Sequence, residues 1–182
     1  MATRVGIIVL SGTLDKVLPA FILSTTAAAM GMEVGMFFSF YGMAVLHKEK
    51  NKKLKVSPVG NPAMPMPVPV PQIVTILPGM MDFSTSMMKK MMEKHNMPDL
   101  QKLIQDAIDL DVKLYPCQTA MSLFGYKEED LIEGVEKPAG AATFLNFVNA
   151  GDKAIVMNFW KPSLLEGFLF KYNLSKPLQW LK

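Results

Sequence analysis

One cysteine, Cys117, is the residue of this sequence best suited to covalent chemistry, and it is the only cysteine in the chain. A strand-like alternation, Val112 to Tyr115, precedes it, and an apolar run of helical character, Gln118 to Phe124, follows it. A thiol in the first turn of a helix lies at the positive end of that helix, which stabilises a thiolate. We therefore expect Cys117 to be either a reactive thiol or, as lone cysteines often are, a small buried apolar residue.

Small and hydroxyl residues follow the other predicted strands. In parallel α/β sheets, ligands bind beyond the carboxyl ends of the strands. Backbone N–H groups at such positions can bind an anion, and small side chains leave room for it. The candidate anion-binding residues are Ser11, Gly12, Thr13, Gly42 and Gln118.

The sequence gives little support for other catalytic sites or for a metal site. The sequence contains no G-x-S-x-G elbow, no Walker A loop and no G-x-G-x-x-G motif. His47 and His95 are not spaced as a metal-binding pair, and we expect His47 to be solvated. The methionines of the predicted helix that ends near His95 share one face, which favours packing, with a Met/His site for Cu(I) as the alternative. We expect neither a metal nor an organic cofactor.

The composition limits the class of protein. Half of the residues are hydrophobic and the net charge is only +3, which favours a folded domain over a disordered chain. Arg4 is the only arginine, so we do not expect nucleic acid as a partner. The single cysteine excludes an internal disulfide, and the first residues lack the pattern of a signal peptide. We expect a reducing compartment, the cytoplasm.

Two apolar stretches raise the question of membrane association. Residues 17–32 carry no charge but are slightly too short to span a bilayer. Residues 56–81 are also uncharged, but they are rich in proline and cannot form a continuous helix. We expect a soluble core, with peripheral or integral membrane association as the alternative.

The apolar periodicity predicts an α/β fold. Val5 to Leu10 and Glu33 to Phe40 flank a helix, which makes a βαβ unit with parallel strands. Further strands are predicted at Val112 to Tyr115 and Lys153 to Phe159. We expect one domain over residues 1–159, with a Pro/Met-rich and helical insertion at about 57–96. A C-terminal helical extension, 160–182, would pack on this domain or a neighbouring subunit, or lie at a membrane surface.

Several motifs in this order are similar to a known family. The start of the chain, SGTLDKVLPAFILSTTAAAMGMEVGMFFSFYG, resembles the first strand, Ala-rich helix and second strand of DsrE/DsrF/DrsH-like sulfur-carrier proteins. The segments LPGM, YPCQTAMSLFGYKEEDL and GAATFLNFV resemble the subgroup labelled DsrE-like or "peroxiredoxin family". The resemblance covers residues 4–159.

The resemblance implies a flavodoxin-like three-layer fold that assembles into homo-oligomers, trimers or hexamers. It implies that Cys117 carries sulfane sulfur as a persulfide or a thiosulfonate, as in a sulfurtransferase of carrier type. Partners would be a TusA-like sulfur carrier, a rhodanese or heterodisulfide-reductase-like proteins. Since the chain has no second cysteine, transfer would need the thiol of another protein. The alternative is a non-catalytic ligand-binding or interaction module of the same fold.

The peroxiredoxin label does not fit the residues around Cys117. Peroxidatic sites place a threonine three residues before the cysteine and an arginine nearby. Leu114 stands at the threonine position, and Arg4 is the only arginine. We do not expect peroxidase activity.

Overall fold

The computed structural model describes residues 3–57, 79–151 and 154–159. Helices and strands, joined in places by short 3₁₀ turns, make up most of these residues. In chain order they are β1 (Arg4–Val9), α1 (Leu14–Ala29), β2 (Glu33–Phe38), α2 (Met43–Leu46), α3 (Met80–Lys94), α4 (Leu100–Asp109), β3 (Lys113–Pro116), α5 (Gln118–Phe124), α6 (Ala141–Asn149) and β4 (Ala154–Phe159).

Within the described residues the strands form a parallel sheet in the order β3-β2-β1-β4. β1 is paired on both sides, with Arg4 opposite Glu33 of β2 and opposite Ala154 of β4. Its continuous apolar run suits this central position, since both faces of a parallel sheet are covered. The chain moves outward from β1 to β3 and then returns to the far side of β1. Right-handed crossovers therefore place α1 and α4 on one face of the sheet and α6 on the other.

The face covered by α1 and α4 holds much of the core. Phe21 of α1 packs against Phe38 of β2, with ring centroids 6.0 Å apart. The α4 helix begins at a capping residue, Asp99, whose Oδ1 accepts a hydrogen bond from the Lys102 N–H at 2.8 Å. Its buried stripe consists of Leu100, Leu103, Ile104 and Ala107.

On the opposite face, two strand glycines let α6 approach the sheet. A Cβ on Gly6 would lie 2.5 Å from Val148 Cγ2, and one on Gly35 would lie 2.6 Å from the Phe147 ring. A larger residue at either of these two positions would push α6 away. Phe144 of α6 stacks on Phe37 of β2 at 5.2 Å. The α6 helix runs antiparallel to the strands, so it begins near their carboxyl ends.

The α/β class and the three-layer arrangement predicted from the sequence are confirmed, as is the parallel pairing of β1 and β2. The second strand is shorter than predicted, because the chain turns at Phe40, whose φ is 46°. The Pro/Met-rich residues 58–78 and the predicted extension 160–182 lie outside the described residues. Among the helices that are described, none has the length and apolar character needed to cross a bilayer.

Candidate functional site

Cys117 lies directly between β3 and α5, as the sequence predicts. Its N–H donates to the Phe38 carbonyl of β2 at 2.9 Å, just beyond the last paired residues of the two strands. Its own carbonyl accepts a hydrogen bond from the Met121 N–H at 2.9 Å. The side chain is only 7% exposed. The backbone of Cys117 is thus fixed by hydrogen bonds on both sides, and the residue is nearly buried.

The alternation of side chains along β3 places Cys117 on the α6 face. The Tyr115 ring lies 6.1 Å from the Phe144 ring and 5.8 Å from the Phe147 ring, both on α6. Leu114 points the other way and is fully buried. Because successive side chains of a strand point to opposite faces, the side chain of Cys117 lies on the same face of the sheet as that of Tyr115.

The beginning of α6 lies beside Cys117. Ala139 forms an isolated parallel bridge with Cys117. In this bridge the Ala139 N–H donates to the Pro116 carbonyl at 2.9 Å, and the Gln118 N–H donates to the Ala139 carbonyl at 3.1 Å. Gly140 then precedes α6, and no atom lies within 4 Å of the position its Cβ would take. Cys117 is therefore next to the first residues of two helices, where the backbone is electropositive.

Ser39 is the neighbour of Cys117 that sequence reasoning missed. It follows β2 directly, and the pairing of Phe38 with Pro116 brings it level with Cys117. Its backbone is extended, its N–H donates to the Val9 carbonyl at 3.1 Å, and it is 7% exposed. Alternation along β2 turns Ser39 toward the α6 face. A signal in the sequence was available, because Ser39 is the first polar residue after an apolar strand.

The candidate anion-binding residues after β1 lie, like Cys117, beyond the carboxyl ends of the strands, but they are not next to Cys117. Ser11 Oγ and Thr13 Oγ1 are 3.1 Å apart and hydrogen-bonded, and the Thr13 N–H donates to Ser11 Oγ at 3.4 Å. β2 separates β1 from β3, so two strand spacings, about 10 Å, divide this loop from Cys117. Gln118 adjoins the thiol, but its N–H is already bonded to Ala139.

Gly12 and Gly42 hold the loops after β1 and β2 together. A Cβ on Gly12 would lie 2.5 Å from the Tyr41 carbonyl oxygen. A Cβ on Gly42 would lie 2.1 Å from the Val9 carbonyl oxygen. Both glycines are thus needed where two backbones meet, which gives each of them a packing role beside the candidate site.

The charged groups of β3 lie at its other end. Lys113, its first residue, pairs with Asp111 at 2.7 Å and with Glu136 at 3.7 Å. The hydrogen bond to Asp111 raises the pKa of Lys113 above its ordinary value. Burial, helped by the charge of Glu136, raises the pKa of Tyr115. Lys113 and Cys117 are four residue steps apart along the strand, about 13 Å, so the Lys113 ammonium is not beside the thiol.

Neither the arginine nor the histidines join Cys117 in a catalytic cluster. Arg4 is the first residue of β1 and lies at the amino end of the strands, opposite the end where Cys117 lies. Its Nη1 donates a hydrogen bond to the Phe147 carbonyl at 2.7 Å. His47 packs edge-on against Tyr126 at 5.0 Å, and His95 ends α3. Within the described part of the chain, no group of three or more His, Cys, Asp or Glu could hold a metal ion.

Aromatic side chains continue from α5 onto the surface. Tyr41 lies 6.0 Å from Phe124, and Phe124 lies 5.7 Å from Tyr126. Tyr41 is 73% exposed, and Leu123 is 65% exposed. Lys50 Nζ lies 4.1 Å above the Tyr126 ring. An apolar surface with one basic group therefore borders the helix that carries Cys117.

Comparison with known proteins agrees with this architecture. The model of the DsrE/DsrF/DrsH-like family matches residues 1–156. This chain belongs to that family. It is 40% identical over 153 residues to the sulfur carrier protein DsrE2 of Allochromatium vinosum, a match that covers 82% of this chain and 94% of that protein. It is 32% identical over 143 residues to the Bacillus subtilis protein YrkE, covering 78% and 89% of the two chains.

Solved structures show the same fold at low sequence identity. MTH1491 of Methanobacterium thermoautotrophicum superposes with a TM-score of 0.52 at 11% identity, over 85% of this chain and 97% of that one. The YchN protein of E. coli gives 0.51 at 14% identity, over 87% and 100%. At these identities the likeness shows the fold alone.

Proposed function

We propose that this DsrE-like protein is a sulfur carrier that holds sulfane sulfur on Cys117 and passes it to the thiol of a partner protein. The observation that carries the proposal is the position of the single cysteine beside the first residues of α5 and α6. The 40% identity to a protein named as a sulfur carrier supports it.

The chemistry needs one thiolate and one acceptor thiol. The Cys117 thiolate attacks the outer sulfur of a donor such as thiosulfate, forms a persulfide and releases sulfite. A partner thiolate then attacks the outer sulfur of the persulfide, takes it, and leaves Cys117 as a thiolate. No electron enters or leaves the system, so the protein needs no redox cofactor. With a donor such as tetrathionate, the Cys117 thiolate would attack one of the two central sulfurs, break the central S–S bond, release thiosulfate and keep a thiosulfonate adduct.

The surroundings of Cys117 suit a negatively charged cargo. The positive ends of α5 and α6 favour the negative charge of a bound persulfide or thiosulfonate. Ser39 is the hydroxyl closest in register to Cys117, and we assign it a hydrogen bond to the bound sulfur. Ser11, Gly12, Thr13, Gly42 and Gln118 would line the approach of a free anionic donor, because the loop after β1 lies about 10 Å from Cys117, beyond the reach of a thiosulfonate bound to the thiol.

A carrier without a second cysteine depends on other proteins. A TusA-like carrier, a rhodanese or a heterodisulfide-reductase-like protein would supply or accept the sulfur in the cytoplasm. A persulfide extends about 2 Å beyond the thiol sulfur, which moves the transferred atom toward an incoming partner. We further propose that the protein acts as a homo-oligomer, a trimer or a hexamer.

The low exposure of Cys117 favours a second candidate function. At 7% exposure the thiol resembles a packed apolar side chain, as expected in a non-catalytic ligand-binding or interaction module. The two candidates differ in a measurable property. A carrier must admit a donor to the thiol in the folded state, whereas a packed thiol reacts only after unfolding.

Intact-mass spectrometry separates the two functions. The folded protein is incubated with thiosulfate, tetrathionate or polysulfide, and Cys117→Ser is the matched control because it removes the only thiol. The carrier function predicts added sulfur on the wild type, none on the variant, and its loss when a small thiol is added. A wild-type mass that never changes, together with alkylation by iodoacetamide only in urea, would establish the non-catalytic module instead.

A further inference from the structure

A cavity of about 570 Å³ lies on the α1 and α4 side of the sheet, away from the Cys117 thiol. It is partly open to solvent and is lined by the first residue of α1, the turn at residues 51–54, α3 and the beginning of α4. The Leu14 N–H donates to the Lys55 carbonyl at 2.9 Å, which fixes the turn to α1. The apolar lining consists of Leu14, Leu54, Met92 and Leu100, none more than 8% exposed, and Met97 near the surface.

Asn51 lines the same cavity and carries an unsatisfied polar group. The residue is 4% exposed, and its N–H donates to the His47 carbonyl at 3.0 Å. Its side-chain Oδ1 is buried and accepts no hydrogen bond from any described residue. Buried acceptors are nearly always paired, because an unpaired one is destabilising. Because this oxygen has almost no accessible surface, a donor from outside the chain would satisfy it once the Asn51 side chain turns toward the cavity.

Charged side chains of both signs line the cavity, and one of its cations has no ion-pair partner among the described residues. Three lysines, Lys52, Lys89 and Lys102, face two carboxylates, Glu93 and Asp99. Asp99 already caps α4, because its Oδ1 accepts a hydrogen bond from the Lys102 N–H.

Of the lysines, Lys102 pairs with Asp106 at 2.6 Å and Lys52 with Glu49 at 3.4 Å. Lys89 forms no ion pair with the described residues, although Glu93 lies four positions later on the same helix. Lys89 is thus the cation best placed to meet an incoming acid group.

We propose that this cavity binds a small amphipathic organic anion. The ligand has an apolar body that covers the leucines and methionines and an N–H or O–H group that donates to Asn51 Oδ1. It also has an acidic group that lies near Lys89. Cavities of this volume ordinarily hold ligands of this kind, with a few polar groups fixing their orientation. The site shares no residue with Cys117 and does not depend on the sulfur chemistry proposed for it.

The test uses a pair of fluorescent probes. 1-Anilinonaphthalene-8-sulfonate has an apolar body, one N–H donor and a sulfonate, and N-phenyl-1-naphthylamine is the same molecule without the sulfonate. We expect the full chain to bind the sulfonate with a stoichiometry near one per chain. We expect the affinity for the sulfonate to be about fivefold higher than for the neutral probe, the effect of one exposed ion pair. Equal or tighter binding of the neutral probe would overturn the anion requirement.

Matched variants locate the site. Lys89→Glu should weaken sulfonate binding about fivefold or more, whereas Lys90→Glu, one residue along α3 and not in the cavity lining, should leave it unchanged. Asn51→Leu removes the acceptor and should weaken both probes. If both lysine variants bind like the wild type, the sulfonate lies elsewhere and the proposal is wrong. Far-UV circular dichroism checks that Lys89→Glu and Lys90→Glu are folded. If both are folded, the comparison between them tests the proposal even where Asn51→Leu fails to fold.

Discussion

The substitution Gly42→Ala tests how the loops beyond β1 and β2 are held together. Gly42 has φ −60° and ψ −24°, a conformation that alanine adopts readily, so the substitution adds no backbone strain. The added Cβ would lie 2.1 Å from the Val9 carbonyl oxygen and 2.8 Å from its carbon. Non-bonded heavy atoms rest at roughly 3.5 Å, so the two backbones must separate by about 1.4 Å.

The size of the effect follows from what the Cβ meets. Overpacking in a well-packed region destabilises by about 1–3 kcal/mol. Here the obstacle is the backbone of a central strand, which cannot change rotamer, so we expect about 3 kcal/mol. The same Val9 carbonyl accepts the Ser39 N–H at 3.1 Å, and this bond weakens as the loops separate. In a protein of this size the melting temperature would fall by about 6–12 °C.

Urea unfolding followed by circular dichroism measures the change in free energy. Gly140→Ala is the matched control, because its φ is −78° and no atom lies within 4 Å of the added Cβ. We expect that variant to stay within about 1 kcal/mol of the wild type. If Gly42→Ala is as stable as Gly140→Ala, the close approach of the two loops is not a constraint and our reasoning is wrong.

Three further predictions concern the elements around the candidate site. Phe144→Ala should lower the free energy of unfolding by about 3–5 kcal/mol, because Phe144 is 1% exposed between α6 and the sheet; exposed Leu145→Ala is its control. Asp99→Ala should lower it by about 1 kcal/mol through loss of the α4 cap, whereas Asp99→Asn keeps the acceptor and should change it little. Since burial raises the pKa of Tyr115, its contribution to stability is complete below pH 10.0, the unfolded value, and is lost as the pH rises through the folded pKa. The free energy of unfolding, measured in urea, should therefore fall less above pH 10.0 in Tyr115→Phe than in the wild type. An equal fall in both would contradict the conclusion that burial raises the pKa of Tyr115.

Local patterns were enough to predict the main elements of the fold. The apolar run of β1 and the amphipathic stripe of α4 each follow one periodicity, and each forms the element that its period predicts. The strand-to-helix change around Cys117 is also visible locally, and Gly125 ends α5 with φ 68° as a C-cap glycine does. These features depend on neighbours within a few residues, which is why sequence reasoning found them.

The surroundings of Cys117 depend on contacts between distant segments. Ala139 reaches Cys117 only because the chain crosses to the opposite face of the sheet after β3. Ser39 becomes its neighbour only through the register of β2 and β3. Gly12 and Gly42 were expected at a ligand edge, and the backbone approach that requires them could not be read from residue types. Strand register and the direction of the crossover connections are set only when the sheet assembles, so local sequence patterns do not predict these neighbours of Cys117.

The sheet separates the two sites proposed for this protein, and that separation is itself a test. The Cys117 thiol faces α6, whereas the cavity near Lys89 lies among α1, α3 and α4. Substitutions that share no partners and lie farther apart than about 10 Å usually act independently. Lys89→Glu should therefore leave the rate of sulfur loading on Cys117 unchanged, and Cys117→Ser should leave sulfonate binding unchanged. If either variant changes the other site, occupation of the cavity is coupled to the thiol. The organic anion would then be a regulator of the carrier rather than the ligand of an independent site.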